Sequence, residues 1–123
     1  MSIYRLAAEM YEQIALSEES LQVLDSMLRQ PCPQNLTDSS KNDLIFKIYE
    51  DYKRIVLVAR EVLAARKKVC EVLVPILLNQ QMQKIAFPEC PALVAREECL
   101  ATTYNSAREL IERAKITIQM LLQ

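Results

Sequence analysis

Apolar residues recur along the chain at helical spacing, most densely over Lys41–Leu73. On a seven-residue repeat beginning at Ile45, the two seam columns read Ile45, Ile48, Tyr52, Ile55, Ala59, Val62, Arg66, Val69 and Leu73. Arg66 is the one charge among them. One flanking column carries Tyr49, Val56, Leu63, Cys70 and Leu77, and the other Leu44, Asp51, Val58, Ala65 and Val72. Two columns are enough for a simple coiled coil. Four mostly apolar columns cover more than half the cylinder, which predicts a central helix sheathed on several sides.

The same reading finds a helix over Ser2–Gln30. Its seam is Ile3, Ala7, Met10, Ile14, Ser17, Leu21, Leu24 and Leu28, widened by Leu6, Val23 and Met27. Ser2 is placed to cap its start by accepting from unpaired amides. Pro31 and Pro33 end it, because proline has no N–H and restricts the residue before it. A polar loop follows to Ser40. Ser40 and Asp43 resemble a capping box and set the next helix start near Lys41. That helix meets Pro75, which predicts a kink or a break there, since proline inside a helix frees the carbonyl of Glu71. The apolar column continues through Leu77, which favours a kinked helix to about Lys84. Pro88 and Pro91 mark a second connection. A third helix is expected from about Ala92 to Leu122, with the seam Leu93, Glu97, Leu100, Tyr104, Ala107, Ile111, Ala114, Ile118 and Leu121.

Short links between long helices favour antiparallel neighbours. The expectation is an all-α chain: one domain over residues 1–123, folded as an antiparallel up-down-up three-helix bundle. A four-helix variant arises if Pro75 breaks the middle helix. Charge agrees with this order. Residues 1–40 hold two basic and six acidic groups, and residues 41–87 hold nine and five. An acidic first helix beside a basic second one is favourable, by about 0–1 kcal/mol for each exposed pair.

Composition narrows the chemistry. The chain has no glycine and no histidine. Phosphate-cradling loops and dinucleotide-binding turns usually need glycine for close backbone approach. Without histidine the commonest general base and the Ser–His and Cys–His nucleophile pairs are missing. Di-iron sites in helix bundles need Glu-x-x-His motifs, so the acid pairs Glu18–Glu19 and Glu97–Glu98 read as solvated faces. Cysteines at 32, 70, 90 and 99 include no C-x-x-C pair and read as reduced thiols rather than a zinc site. The Asn35–Leu36–Thr37 triplet matches a glycosylation acceptor but reads as chance. No secretory signal and no stretch of membrane-spanning length is visible, so a cytoplasmic or nuclear location is expected. No enzyme, cofactor, metal or small-molecule substrate is expected.

Two surfaces stand as candidates. Leu77, Leu78, Met82, Ile85 and Phe87, past Pro75, are read as one wall of a groove for a partner helix. Lys53, Arg60, Lys67 and Lys68 form a basic face on the middle helix. Acidic residues interrupt that face and no aromatic residues interleave it, which argues against nucleic acid and for a solvated face or an acidic protein partner. Arg66 on the seam reads either as an arginine snorkelling at the rim or as an ion pair with an acid of a neighbouring helix. The function expected is a non-enzymatic helical adaptor or complex subunit, binding a protein partner or a second copy of itself. The alternative is a small helical chaperone or regulator holding an amphipathic segment of a client. A nucleic-acid-binding module ranks behind both.

Overall fold

The computed structural model describes residues 3–83 and 88–123, leaving out the side chains of Ile3, Tyr4, Leu6, Gln81 and Gln83. Three α-helices account for almost all of it: α1 (Ile3–Leu28), α2 (Asn42–Gln83) and α3 (Cys90–Leu122). There is no strand among the described residues. Helix α2 is the spine. Both α1 and α3 pack against it, α3 more extensively, while α1 and α3 scarcely meet each other.

The predicted seams are the buried faces of all three helices. On α1 the buried residues are Ala7, Met10, Ile14, Leu21 and Leu24; on α3 they are Cys90, Glu97, Tyr104, Ala107, Ile111 and Ile118. One continuous core joins them to Ile45, Tyr49, Tyr52, Val56, Ala59, Leu63, Cys70, Leu73, Val74 and Leu77 of α2. Full burial of side chains such as Ile45, Leu73 and Ile111 contributes about 1.5–3 kcal/mol each. Partners run in opposite chain order along each helix pair. Asp25 meets Arg60 where Glu18 meets Lys67, and Lys41 reaches Gln123 where Arg66 meets Glu97.

Four expectations meet the structure. First, α2 continues as a single helix through Pro75 to Gln83, as the continuing Leu77 column favoured, and the four-helix alternative is not formed. Pro75 lies on the exposed side, where water can take the carbonyl it frees. Second, Asp38 rather than Ser40 is the cap before α2. Its carboxylate accepts from Ser40 N at 3.1 Å, a single 3-10 turn over Ser39–Lys41 follows, and α2 begins at Asn42. Third, α3 begins at Cys90, not Ala92. Pro91 sits in its first turn, where a missing N–H costs nothing.

The fourth correction concerns how α2 is covered. The column Leu44, Val58 and Val72 is about half exposed, so three columns are sheathed and not four. Val74, outside every predicted column, is buried instead. A straight α-helix drifts about 20° per seven residues against a strict seven-residue repeat. Over a helix of 42 residues that drift carries Val74 onto the covered face, whereas the column of Val72 is an open edge from Leu44 onward. The Ser2 cap lies outside the described residues.

Candidate functional site

The two predicted surfaces fare differently. Leu77 is only 6% exposed and belongs to the core, so it is withdrawn as a partner contact. Leu78 is half-buried and packs against that core. Met82 stands 74% exposed. Ile85 and Phe87 lie outside the described residues. Of the described residues of that wall, Met82 alone stands free of the core, because α2 keeps packing inward past Pro75. On the basic face, Arg60 pairs with Asp25, and Lys67 Nζ lies 3.1 Å from Glu18 Oε1. Lys53 pairs with Glu50 at 3.3 Å and stands over the Tyr49 ring at 4.8 Å. Lys68 remains at an open edge beside Ala65, Val69, Val72, Leu93 and Arg96.

Arg66 is where charge enters the interior. It is 5% exposed and Glu97 is 7% exposed. Arg66 Nε donates to Glu97 Oε1 at 2.6 Å, and an Nη donates to Gln13 Oε1 at 2.8 Å. One residue from each helix is thus tied at a single point, and Arg66 is the buried ion pair rather than the snorkelling arginine. The other carboxylate oxygen, Glu97 Oε2, has no partner at normal hydrogen-bond distance among the described residues. Next to this pair, burial pushes the Cys70 thiol up to about 11, helped by the Glu97 carboxylate and opposed by Arg66.

Above Arg66 the gap between α1 and α3 opens into a cleft of about 480 Å3. Its walls are Gln13, Leu16, Ser17 and Ser20 on α1 and Ala101, Tyr104, Asn105 and Arg108 on α3. Towards the C-terminal ends of α1 and α3 lies a second cavity of about 300 Å3, mostly apolar, lined by Met27, Pro31, Pro33, Tyr49, Tyr52, Ile118 and Leu122 with Gln30, Lys115 and Gln119. The Tyr52 hydroxyl is buried without a hydrogen-bond partner among the described residues, and burial raises its pKa. Leu16, Ser20, Val23 and Met27 follow the four-three-four spacing of one helix edge. Leu16, Val23 and Met27 are each about half exposed or more. Both cavities lie in the gap between α1 and α3, with Arg66, Tyr49 and Tyr52 of α2 among their lining and this α1 edge beside them.

Sequence reading recognised Val23 and Met27 only as widening the α1 stripe. The signal was there, since two neighbouring apolar edges on one helix call for two neighbours. What the pattern did not carry is that α3 stands away from that second edge.

The loop before α2 holds another centre that was missed. Asn35 is 3% exposed. Its Oδ1 accepts from Thr37 N, Thr37 Oγ1 and Asp38 N, and its Nδ2 donates to Leu121 O at 2.7 Å. Asn42 closes the turn by accepting from Asn35 N and donating to Asn35 O. The amide nitrogen that a glycan would need is committed to the end of α3.

All four cysteines carry free thiols; Cys70 and Cys90 are buried and Cys99 is exposed. Among the described residues no group of three or more His, Cys, Asp or Glu is placed to hold a metal ion, and no helix is long and apolar enough to cross a membrane. Comparison with protein-family models, with curated proteins and with solved structures finds no match in any of the three.

Proposed function

We propose that this chain is a non-enzymatic helical adaptor or complex subunit, an antiparallel up-down-up three-helix bundle bent at Pro75, which takes a partner helix into the groove between α1 and α3. The observation that carries this reading is the groove itself. Helices α1 and α3 each pack on α2 yet leave the space between them open. An apolar edge of α1 stands uncovered beside two cavities there. A helix-sized groove with apolar anchors is a common mode of recognising an amphipathic helix. A second apolar strip, Val58 and Val72 with the open edge at Ala65 and Leu93, lies along α2 and gives a complex subunit a further contact surface. Two of the four candidate cations on α2 are already paired with acids of α1, which favours a protein partner over nucleic acid. Buried free thiols favour a reducing compartment, cytoplasm or nucleus.

The test is purification from native extract, with light scattering on the isolated chain and on the recovered complex. A defined hetero-complex is expected, released by Met27→Asp while helicity and melting stay unchanged. A chain that is monomeric in the extract, or a complex indifferent to Met27→Asp, would refute the groove. Recovery of many unrelated clients would favour the chaperone reading instead.

A further inference from the structure

The groove also carries a chemical preference. Its two cavities are lined by three cations, Arg66, Arg108 and Lys115, and Glu112 stands beside the second, close enough to act on the Tyr52 hydroxyl. Two of the cations are already answered: Arg66 by Glu97, and Lys115 by Glu112 at 3.6 Å. Arg108 takes part in none of the ion pairs among the described residues, and Glu109, Glu112 and Arg113 share the outer surface beside it. The cleft at Arg108 also presents Asn105, Ser20 and Gln13. A planar guanidinium beside amide and hydroxyl groups suits a carboxylate, which it can hold with two parallel hydrogen bonds.

The second cavity lies along the same groove and has the opposite character. Arg108 lines the first and Ile118 the second, ten positions apart on α3, or about 15 Å at 1.5 Å per residue. A helix lying along both cavities meets them with side chains about ten or eleven residues apart.

Resting on the reading of the groove as a helix site, we propose that its occupant is an acidic amphipathic helix of another protein. A carboxylate of that helix sits on Arg108 over the Arg66 floor, and an apolar anchor about ten or eleven residues away fills the cavity beside Tyr52 and Ile118.

The probes are synthetic helices of about 20 residues, made in both sequence orders. One carries glutamate and leucine at that spacing, a second has lysine for the glutamate, and a third has alanine for the leucine. Binding to the full chain is followed by fluorescence anisotropy. The glutamate–leucine helix should bind, with each altered helix about ten-fold weaker. Arg108→Glu, at an exposed position, should reverse the order of the glutamate and lysine helices without changing the melting temperature. Equal binding of those two helices would overturn the charge preference and leave the groove standing. Binding unaffected by Met27→Asp, or no binding by any helix, would overturn both. Displacement by inorganic phosphate, with no dependence on the leucine, would reveal a small-anion site and overturn the proposal. So would a homodimer that Met27→Asp dissociates, since a second copy would then fill the groove.

Discussion

Arg66 and Glu97 were the two charges on otherwise apolar seams, and they meet. Burying two ions is costly, and their attraction offsets that cost only when hydrogen bonds complete the arrangement. Here Gln13 supplies one, while Glu97 Oε2 has no such partner among the described residues. Removing either partner leaves the other charge buried and alone. Arg66→Ala or Glu97→Ala should therefore cost about 3–5 kcal/mol in urea denaturation, whereas Arg66→Met with Glu97→Leu should come out near neutral or more stable. Such a result would show that the pair sets helix register rather than supplying stability. Cys70 gives a pH test beside it. Its thiol is raised from 9.0 to about 11, first by burial and then by Glu97. A raised folded pKa means that this stability is complete below pH 9 and is lost as pH climbs towards 11. Between those limits the gap between wild type and Cys70→Ala should narrow by about 2 kcal/mol, read from urea curves at each pH. Tyr52, also raised by burial, pulls in the same direction in both proteins and cancels from that difference.

At the scale of elements, the connection between α1 and α2 does more than link them. Asn35 organises its own turn and grips the last carbonyls of α3 through Leu121 O, while Lys41 Nζ reaches Gln123 O at 3.3 Å. The Tyr49 hydroxyl donates to Gln30 O at 2.9 Å, fixing the chain as it leaves α1. Asn35→Ala deletes four side-chain hydrogen bonds around buried backbone. It should cost about 2–3 kcal/mol, with amide exchange of the α3 C-terminal turn accelerated more than that of its middle. Local hydrogen bonding of this kind has almost no signature in sequence. Asn-Leu-Thr reads as a modification motif or as nothing, until the loop is folded against α3.

For the whole molecule, the distribution of exposed apolar residues separates surface from core. Val58 and Val72 occupy a column that sequence periodicity assigned to the sheathed face, yet both are about half exposed. Val72→Lys should alter stability by less than about 0.5 kcal/mol in thermal melts, as for other surface changes away from a special contact. A loss of several kcal/mol would mean that Val72 is packed against a partner surface.

The sequence by itself determined what short-range rules control. Seam spacing specified three helices and nearly all of their buried residues, and the prolines bounded them. These follow from side chains a few residues apart on one cylinder, so the pattern along the chain is sufficient. Only the tertiary structure decided where α1 stops short of α3, which of the four α2 columns stays wet, and that Arg66 finds Glu97 and Gln13. Those outcomes depend on how rods of finite width pack around one another and on a helical drift that accumulates over the length of α2. No local stretch of sequence encodes either.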